Sequence, residues 1–548
     1  MIILGLNGWT DHTHDPAAAL IVDGHVEAFI EQERLSRHKY GVSELAHEAL
    51  SAVLTEAGVA PSELDGVAYG WDIAKYNGLR RRTVDLTDAA SVLTGLYELR
   101  KHEVAWTSHH DAHAASTFYG SGLSEAAVVV VDAEGEDESA SLYHATIAGL
   151  RPMRRFGRGV SLGLMYRAVS EYCGFGQFGS GKTMGLASYH TDNVEPLPLT
   201  WDGGDLISPF SVDAWEDDVL SGWKRVLIER FGPPGASARR DSSGSFPPLD
   251  EHRPAAAAAA QATVNSVMVA LVREAMSLTG CRNVCLAGGV ALNCVANGLL
   301  IEEVDVLHIP PYPHDAGVAL GAAQLMYVQR GNIWRDQARA TVGTDVKLDQ
   351  IEEALRSGGY PVHRVSDPAA TACQLLTDGY IIGWVQGRME IGPRALGQRS
   401  ILALPSNPRI RDRVNVLKGR ELWRPLAPSV LSEDVRLVFG RELESPFMLI
   451  SVPMSDRGRA IAPAAAHIDG SARLQTVADD GSLYRRLLEY VREATGTGIV
   501  LNTSFNANSE PIVRTPEEVL STSLRIGLDA IVIGDVLVRF KQESAYAC

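Results

Sequence analysis

The 548-residue sequence predicts an α/β protein of two domains, the first assembled from two related halves. Three observations carry this prediction. Short apolar runs alternate with stretches of helical period, the pattern at the N-terminus returns in part near Ala126, and the composition turns polar and weakly periodic over Gly331 to Asp349. Taken in order, Met1 to Asn7 reads as an apolar strand, and Ala17 to Val22 resumes the strand pattern after a turn-rich stretch. Asp23-Gly24 is a two-residue hairpin signal, with Val26 to Ile30 returning. Val42, Leu45, Ala46, Ala49, Leu50, Val53 and Leu54 recur at helical spacing, and the run stops at Gly58. Val67 to Tyr69 is a short strand. The run AVVVVDAEGEDESASLYHA gives a buried strand, an acidic turn and a second strand, which is the partial echo. Leu197 to Pro254, rich in Pro, Gly, Ser and Trp, reads as an insertion, and the Ala-rich run that follows as a helix. Val284 to Gly289 is a strand and glycine turn, and Leu320 to Tyr327 a helix. The polar segment sets the boundary, giving domains 1–340 and 341–548. The second domain has strands near Ile381 to Val385, Ile499 to Leu501 and Ala530 to Ile533.

Charge and cysteine content narrow the function classes. Fifty Lys and Arg stand against 67 Asp and Glu, for a net charge of -17. A broad nucleic-acid surface needs a positive patch, so no nucleic-acid partner is expected. No uncharged apolar stretch reads as long enough to span a bilayer, so no membrane partner is expected either. The N-terminus lacks the basic segment of a signal peptide. Six cysteines without paired spacing are too sparse for a disulfide framework, which fits a reducing cytoplasm.

Five clusters carry candidate chemistry. Asp11, His12, His14 and Asp15 follow the first strand, where α/β proteins place ligand groups, and a histidine there is able to take a proton from a hydroxyl near neutral pH. The same residues would also serve a simple polar turn. His109 and His113 are four apart, so on a helix both imidazoles face one way, and Ser108 is placed to cap that helix. Asp132, ending VVVVD, and Asp315, in PYPHDAG, sit at predicted loop mouths. Two His and two Asp suit Fe(II), Mn(II) or Zn(II). Gly176 to Thr183, GQFGSGKT, matches the P-loop pattern in letters, but it follows a helical run rather than a strand, so it is not read as one. AGGVALNCVANG, Ala287 to Gly298, puts paired glycines between strand and helix, suited to a nucleotide or merely to a tight turn. Finally, MEIGPRALGQRSILA, followed by Lys418, Arg420, Arg424 and Arg473, concentrates cations in an acidic chain, a pattern suited to phosphate. Near the end, LNTSFNANSEPIV adds Asn502, Thr503, Ser504 and Asn506.

The ordered set LGLNGW, HDPAAAL, EQERLSRHK, SHHDAHAAS, GKTMGLA, AGGVALN, HDAG, MEIGPRALGQRS, WRPLAPSV and NTSFN resembles the NodU/CmcH-type O-carbamoyltransferases over essentially the whole chain. The resemblance implies an N-terminal duplicated domain of the ASKHA (actin/Hsp70-like) class and a C-terminal YrdC-like domain. It implies two steps. Carbamoyl phosphate and ATP, the latter with Mg2+, give carbamoyl-adenylate in the C-terminal domain. The carbamoyl group then passes to a hydroxyl of a small-molecule acceptor in the N-terminal one. By position, it assigns His109, His113, Asp132 and Asp315 to an iron ion, with other divalent metals admissible. His14 becomes the base and His12 an acceptor contact. Lys39, Ser161, Gly289 and Asn293 are assigned to carbamoyl-adenylate. Arg394, Lys418, Arg424, Arg473, Thr503 and Ser504 are assigned to ATP and carbamoyl phosphate. One departure stands out: family members often carry an acidic residue before GK, whereas Ser180-Gly181 precede Lys182 here.

The acceptor is not legible, since the family acts on aminoglycosides, nodulation oligosaccharides, β-lactams and macrocycles. The Leu197 to Pro254 insertion is the expected source of acceptor specificity. Two other classes remain at this stage. An actin/Hsp70-like kinase or ATPase would have no use for the C-terminal cations, and a regulatory nucleotide-binding protein would bind without releasing pyrophosphate.

Overall fold

The computed structural model describes residues 1–8, 13–95, 104–234 and 252–540. The chain divides into two compact units. One comprises Met1–Gln32 and Val42–Ala338, the other Glu33–Gly41 with the chain from Arg339 onward. The excursion Glu33–Gly41 is a feature that the linear division at residue 340 does not contain.

Unit 1 holds two five-stranded sheets among the described residues. The first has β1 (Ile2–Asn7), β2 (Ala17–Val22), β3 (His25–Glu31), β4 (Gly66–Tyr69) and β5 (Val104–Trp106), in the order β3-β2-β1-β4-β5. The second has β6 (Glu125–Val131), β7 (Glu138–Thr146) and β8 (Gly149–Gly157). After a small hairpin of β9 (Thr200–Asp202) and β10 (Asp205–Ile207), it is completed by β11 (Asn283–Ala287) and β12 (Val306–His308), in the order β12-β11-β6-β7-β8. Renumbered from its own first strand, each sheet is 3-2-1-4-5. Each opens with an antiparallel meander and adds two parallel strands. The partial echo in the sequence is thus a true duplication, and unit 1 has the expected actin/Hsp70-like class. Asp23 and Gly24 both take positive φ, 48° and 82°, as a two-residue hairpin turn requires.

Each half ends in a helix. His109–Gly120 follows β5 and Ala316–Gln329 follows β12, and the two pack against each other. Gly321 sets their separation: a Cβ there would lie 1.8 Å from the Ala112 carbonyl oxygen, so only glycine permits this approach. The contact brings the N-terminal ends of the two helices together.

The helix His252–Thr279 corrects one expectation. Pro254 to Val272 carry no charged side chain. By length and composition the helix is apolar enough to cross a membrane, with mean hydropathy 1.6 over its most apolar window, although 61% of that window is buried inside the protein. It packs on β6 and β7, so its apolar residues serve the core. The insertion contributes the β9–β10 hairpin and the helix Glu216–Phe231. Its residues 235–251, like Asp11 and His12, lie outside the described residues.

Unit 2 is a mixed nine-stranded sheet. Its strands are β13 (His363–Arg364), β14 (Ile382–Val385), β15 (Arg399–Ala403), β16 (Ala427–Leu431), β17 (Ile450–Pro453), β18 (Ser471–Val477), β19 (Ile499–Ser504), β20 (Ala530–Ile533) and β21 (Val536–Arg539). They run in the order β13-β21-β20-β14-β15-β19-β16-β18-β17. The helix Leu483–Thr495 lays Tyr484, Leu487, Leu488 and Val491 against a core containing Trp384 and Leu402. Each such buried aliphatic side chain is worth about 1.5–3 kcal/mol relative to exposure. This packing fixes the strand ends that carry the polar loops.

Candidate functional site

In unit 1, the helix pair delivers four ligand groups to one place. His109 and His113 are one turn apart and both fully buried. Asp132 follows β6, and Asp315 occupies the cap position of the helix Ala316–Gln329, where the helix dipole favours a carboxylate. One ligand atom from each of the four lies within 4.8 Å of all the others. His113 Nε2 is 3.0 Å from Asp132 Oδ2 and 3.1 Å from His109 Nε2. Asp315 Oδ1 is 3.7 Å from His109 Nε2 and 3.8 Å from His113 Nε2. His109 Nδ1 donates to the Gly70 carbonyl at 3.2 Å, which leaves Nε2 to face the carboxylates.

The electrostatics ask for a cation. Burial lowers His109, but Asp315 and Asp132 outweigh it and raise the imidazole to about 10. Burial and Asp315 raise Asp132, yet hydrogen bonds from His109 and His113 leave it below the usual carboxylate range. Asp315 is likewise held low against its burial, by His14 and His109. Two ionised carboxylates thus share a buried space with imidazole nitrogens, an N2O2 set that a divalent ion fits.

Neighbouring groups hold this set in place. Trp71 stacks on His109, centroids 4.0 Å apart, and its Nε1 donates to Asn7 Oδ1 at 3.0 Å. Ser108 makes no side-chain cap bond, contrary to expectation. The cap is Glu136, whose carboxylate accepts from the His109 N–H at 3.0 Å and from the Asp72 N–H at 2.8 Å. Asp132 Oδ1 accepts from the Ala133 and Gly289 N–H groups at 2.7 and 3.2 Å. Gly288, at φ 87°, makes that turn possible, because a Cβ would stand 2.2 Å from the Val131 carbonyl oxygen.

The other unit 1 residues fall around this centre. His14 is half-buried, bonds Asp15 Oδ2 through Nδ1 at 2.9 Å, and meets the Phe178 ring edge-on at 5.4 Å. Burial lowers it, but Asp315, Asp15 and Asp132 raise it to about 9. Ser161 donates to the Ala133 carbonyl at 2.6 Å and caps the helix Leu162–Tyr172. Asn293 caps Cys294–Leu300 and exchanges hydrogen bonds with Gln261 at 3.0 Å. The GQFGSGKT segment follows the helix Leu162–Tyr172 and itself enters the helix Ser180–Ala187, which is not the strand-loop-helix of a P-loop.

In unit 2, Lys418, Arg420, Arg424 and Arg473 lie within electrostatic reach of one another. Burial is the leading cause that lowers Lys418, Arg420 and Arg424, and their mutual repulsion adds to it. Arg420 Nη1 donates to Thr503 Oγ1 at 3.2 Å. Lys418 Nζ donates to the Asn506 carbonyl and Oδ1 at 2.8 and 2.9 Å and to the Ser504 carbonyl. Lys39 belongs with Glu33–Gly41 to unit 2 and joins this cluster, while Ser161, Gly289 and Asn293 belong to unit 1. Its Nζ donates to the Glu510 carbonyl at 3.3 Å, and its charge adds to the lowering of Lys418. Arg34 and Arg37 hold the excursion, donating to the Gly392 and Ile512 carbonyls at 2.7 and 2.8 Å. Arg394 is half-buried on the loop between β14 and β15. Glu390 Oε1 organises that loop by accepting from the Leu396, Gln398 and Arg399 N–H groups at 2.8, 3.2 and 3.2 Å. Arg399 is fully buried and serves the backbone, donating to the Gln386, Gln398 and Gly387 carbonyls.

Two family models match: the carbamoyltransferase N-terminus over residues 75–324 and the carbamoyltransferase C-terminus over residues 373–540. Nodulation protein NolNO of Sinorhizobium fredii is 35% identical over 97% of this chain and 80% of its own length. The chain belongs to the carbamoyltransferase family. As such it uses a carbamoyl donor and a hydroxyl acceptor. A second relative, the 3'-hydroxymethylcephem-O-carbamoyltransferase of Amycolatopsis lactamdurans, is 35% identical over 46% of this chain and 47% of its own. Among solved structures, HypF of T. kodakarensis covers 60% of this chain and 48% of its own at 13% identity, with a TM-score of 0.35. Family membership disfavours the kinase and regulatory readings.

Proposed function

We propose that this carbamoyltransferase forms carbamoyl-adenylate from carbamoyl phosphate and ATP in unit 2 and transfers the carbamoyl group to a small-molecule hydroxyl in unit 1. The observation that carries the reading is the cation cluster of the buried Lys418 with the half-buried Arg420, Arg424 and Arg473. Burial first and mutual repulsion second lower Lys418, Arg420 and Arg424, Glu510 and Glu421 offset this in part, and a bound polyphosphate would add negative charge to the cluster. Arg394 and the Thr503-Ser504 pair complete the proposed site for ATP, which enters with Mg2+. Carbamoyl phosphate is cleaved by water to carbamate and phosphate. A carbamate oxygen then attacks the α-phosphorus, and the bond to pyrophosphate breaks.

In unit 1, His109, His113, Asp132 and Asp315 would hold a divalent ion, iron among the candidates, which when bound supplies positive charge for a carbamoyl or phosphate oxygen. Gly289 presents its backbone N–H beside Asp132, and Ser161 and Asn293 border the same turn, where the adenylate is proposed to lie. His12 is assigned to the acceptor, and the insertion to its specificity. The acceptor oxygen bonds to the carbamoyl carbon, the bond to AMP breaks with its electron pair, and the hydroxyl proton passes to a nitrogen of neutral His14.

The test is pyrophosphate release. It should require both ATP and carbamoyl phosphate. Release of phosphate from ATP regardless of carbamoyl phosphate would mark an ATPase, and binding without any release a regulatory protein.

A further inference from the structure

A second group of metal-ligating side chains lies away from the site described above. Glu125 opens β6, His144 is on β7, and Cys281 is on the loop that leads into β11. In the β6–β7 ladder Glu125 faces Thr146 and Ala127 faces His144, so Glu125 and His144 are diagonal neighbours on one face. β11 pairs with the other edge of β6 and brings Cys281 to the same corner. One ligand atom from each of the three lies within 4.8 Å of the others. His144 Nε2 is 2.6 Å from Glu125 Oε1. The three ligand types come from three adjacent segments of a rigid sheet, so their spacing does not depend on a flexible loop tip alone.

We propose that Glu125, His144 and Cys281 form a surface site for a borderline divalent ion of the Zn2+ class. Thiolate, imidazole and carboxylate are the ligands that such an ion takes, at about 2.0–2.3 Å, and a tetrahedral ion keeps its fourth position for water. The present spacing needs only a small opening of the Glu125–His144 contact, and Glu125 is exposed enough to move. The site is remote from the catalytic one. Glu125 and Asp132 stand at opposite ends of β6, roughly 23 Å apart at about 3.3 Å per residue. Its bound ion would join β6, β7 and the lead into β11, tying the meander of the second half to its parallel strands.

The experiment is titration of the full chain with Co2+, which stands in for Zn2+ and reports sulfur ligation by a thiolate-to-cobalt charge-transfer band. The catalytic set has no sulfur and is silent in that band. Wild type should show the band, and Zn2+ should displace it. Cys281→Ser should abolish it, His144→Ala should weaken Co2+ binding there at least about tenfold, and His113→Ala should leave it intact. Cys281 is half-exposed, so the serine variant is expected to fold, and its circular dichroism checks this. No band in wild type overturns the proposal. A band that survives in Cys281→Ser overturns it too, because another cysteine is then the ligand.

Discussion

His14 shows how one imidazole changes its use with its surroundings. Against burial, Asp315, Asp15 and Asp132 hold it at about 9, above the ordinary value of 6.5, so without a metal it carries a proton at pH 7 and is unable to accept another. In that metal-free state the protonated ring contributes stability that is fully present below pH 6.5 and is lost as pH rises through about 9. A divalent ion on Asp132 and Asp315 offsets two of the three carboxylates. Loading with diamagnetic Zn2+ should therefore bring His14 down toward neutrality, which a pH titration of its ring protons by NMR reads directly. If it still titrates near 9 in the loaded protein, it is not the base. His14→Asn should slow carbamoyl transfer by roughly 10²–10⁴-fold, the usual range for general base catalysis, while pyrophosphate release stays near wild type. At the same scale, His113→Ala should lose bound metal, measured by elemental analysis, together with transfer. Unchanged metal content in that variant removes the ligand assignment.

At the scale of elements, the strand-to-helix turn at Gly288 and the N-terminus of the helix His109–Gly120 do the positioning. Gly288→Ala puts a methyl group against the Val131 carbonyl and forces a side chain into positive φ. It should lower stability by about 1–3 kcal/mol or more, measured by denaturant unfolding, and weaken metal binding, because the Gly289 N–H that fixes Asp132 moves with the turn. This level also shows what was legible beforehand. The four-residue spacing of His109 and His113 needs only helical geometry, and Asp132 and Asp315 announce themselves at strand and loop ends. Glu136 was hidden, because a cap normally stands next to its helix, and this one arrives from a turn 27 residues downstream. Trp71 was hidden for the same reason, since nothing in its local sequence marks a stack on a distant histidine. The membership of Lys39 in unit 2 was hidden, because the chain gives no local sign that Glu33–Gly41 leaves unit 1, although its density of charged residues now has a reason in the carbonyls it reaches. The long apolar helix was underrated because alanine and small polar residues mask its reach.

At the scale of the whole molecule, the proposed division of labour predicts variants that fail in only one step. Arg394→Ala and Arg424→Ala remove charged donors from the proposed polyphosphate site, a loss of about 1.5–3 kcal/mol for each charge-assisted hydrogen bond. Pyrophosphate release should fall by at least tenfold. Synthetic carbamoyl-adenylate should restore carbamoylation of the acceptor, because the unit 1 groups are untouched. Folded variants that the adenylate does not rescue would mean that the two steps share one site.

The paired terminal helices of unit 1 have a consequence for ancestry. The tripeptide His-Asp-Ala occurs at residues 110–112, inside one helix, and at 314–316, across the start of the other. In one copy the aspartate joins the metal-ligand set. In the other, Asp111 accepts from the Tyr143 hydroxyl at 2.8 Å and pairs with Arg155 at 3.2 Å. By position the two aspartates are not equivalent: Asp315 occupies the cap position of its helix, whereas Asp111 lies in the first turn of a helix that Ser108 precedes. The repeated strand order marks the duplication, and within it the same tripeptide has been put to two uses, a ligand in one half and a surface ion pair in the other.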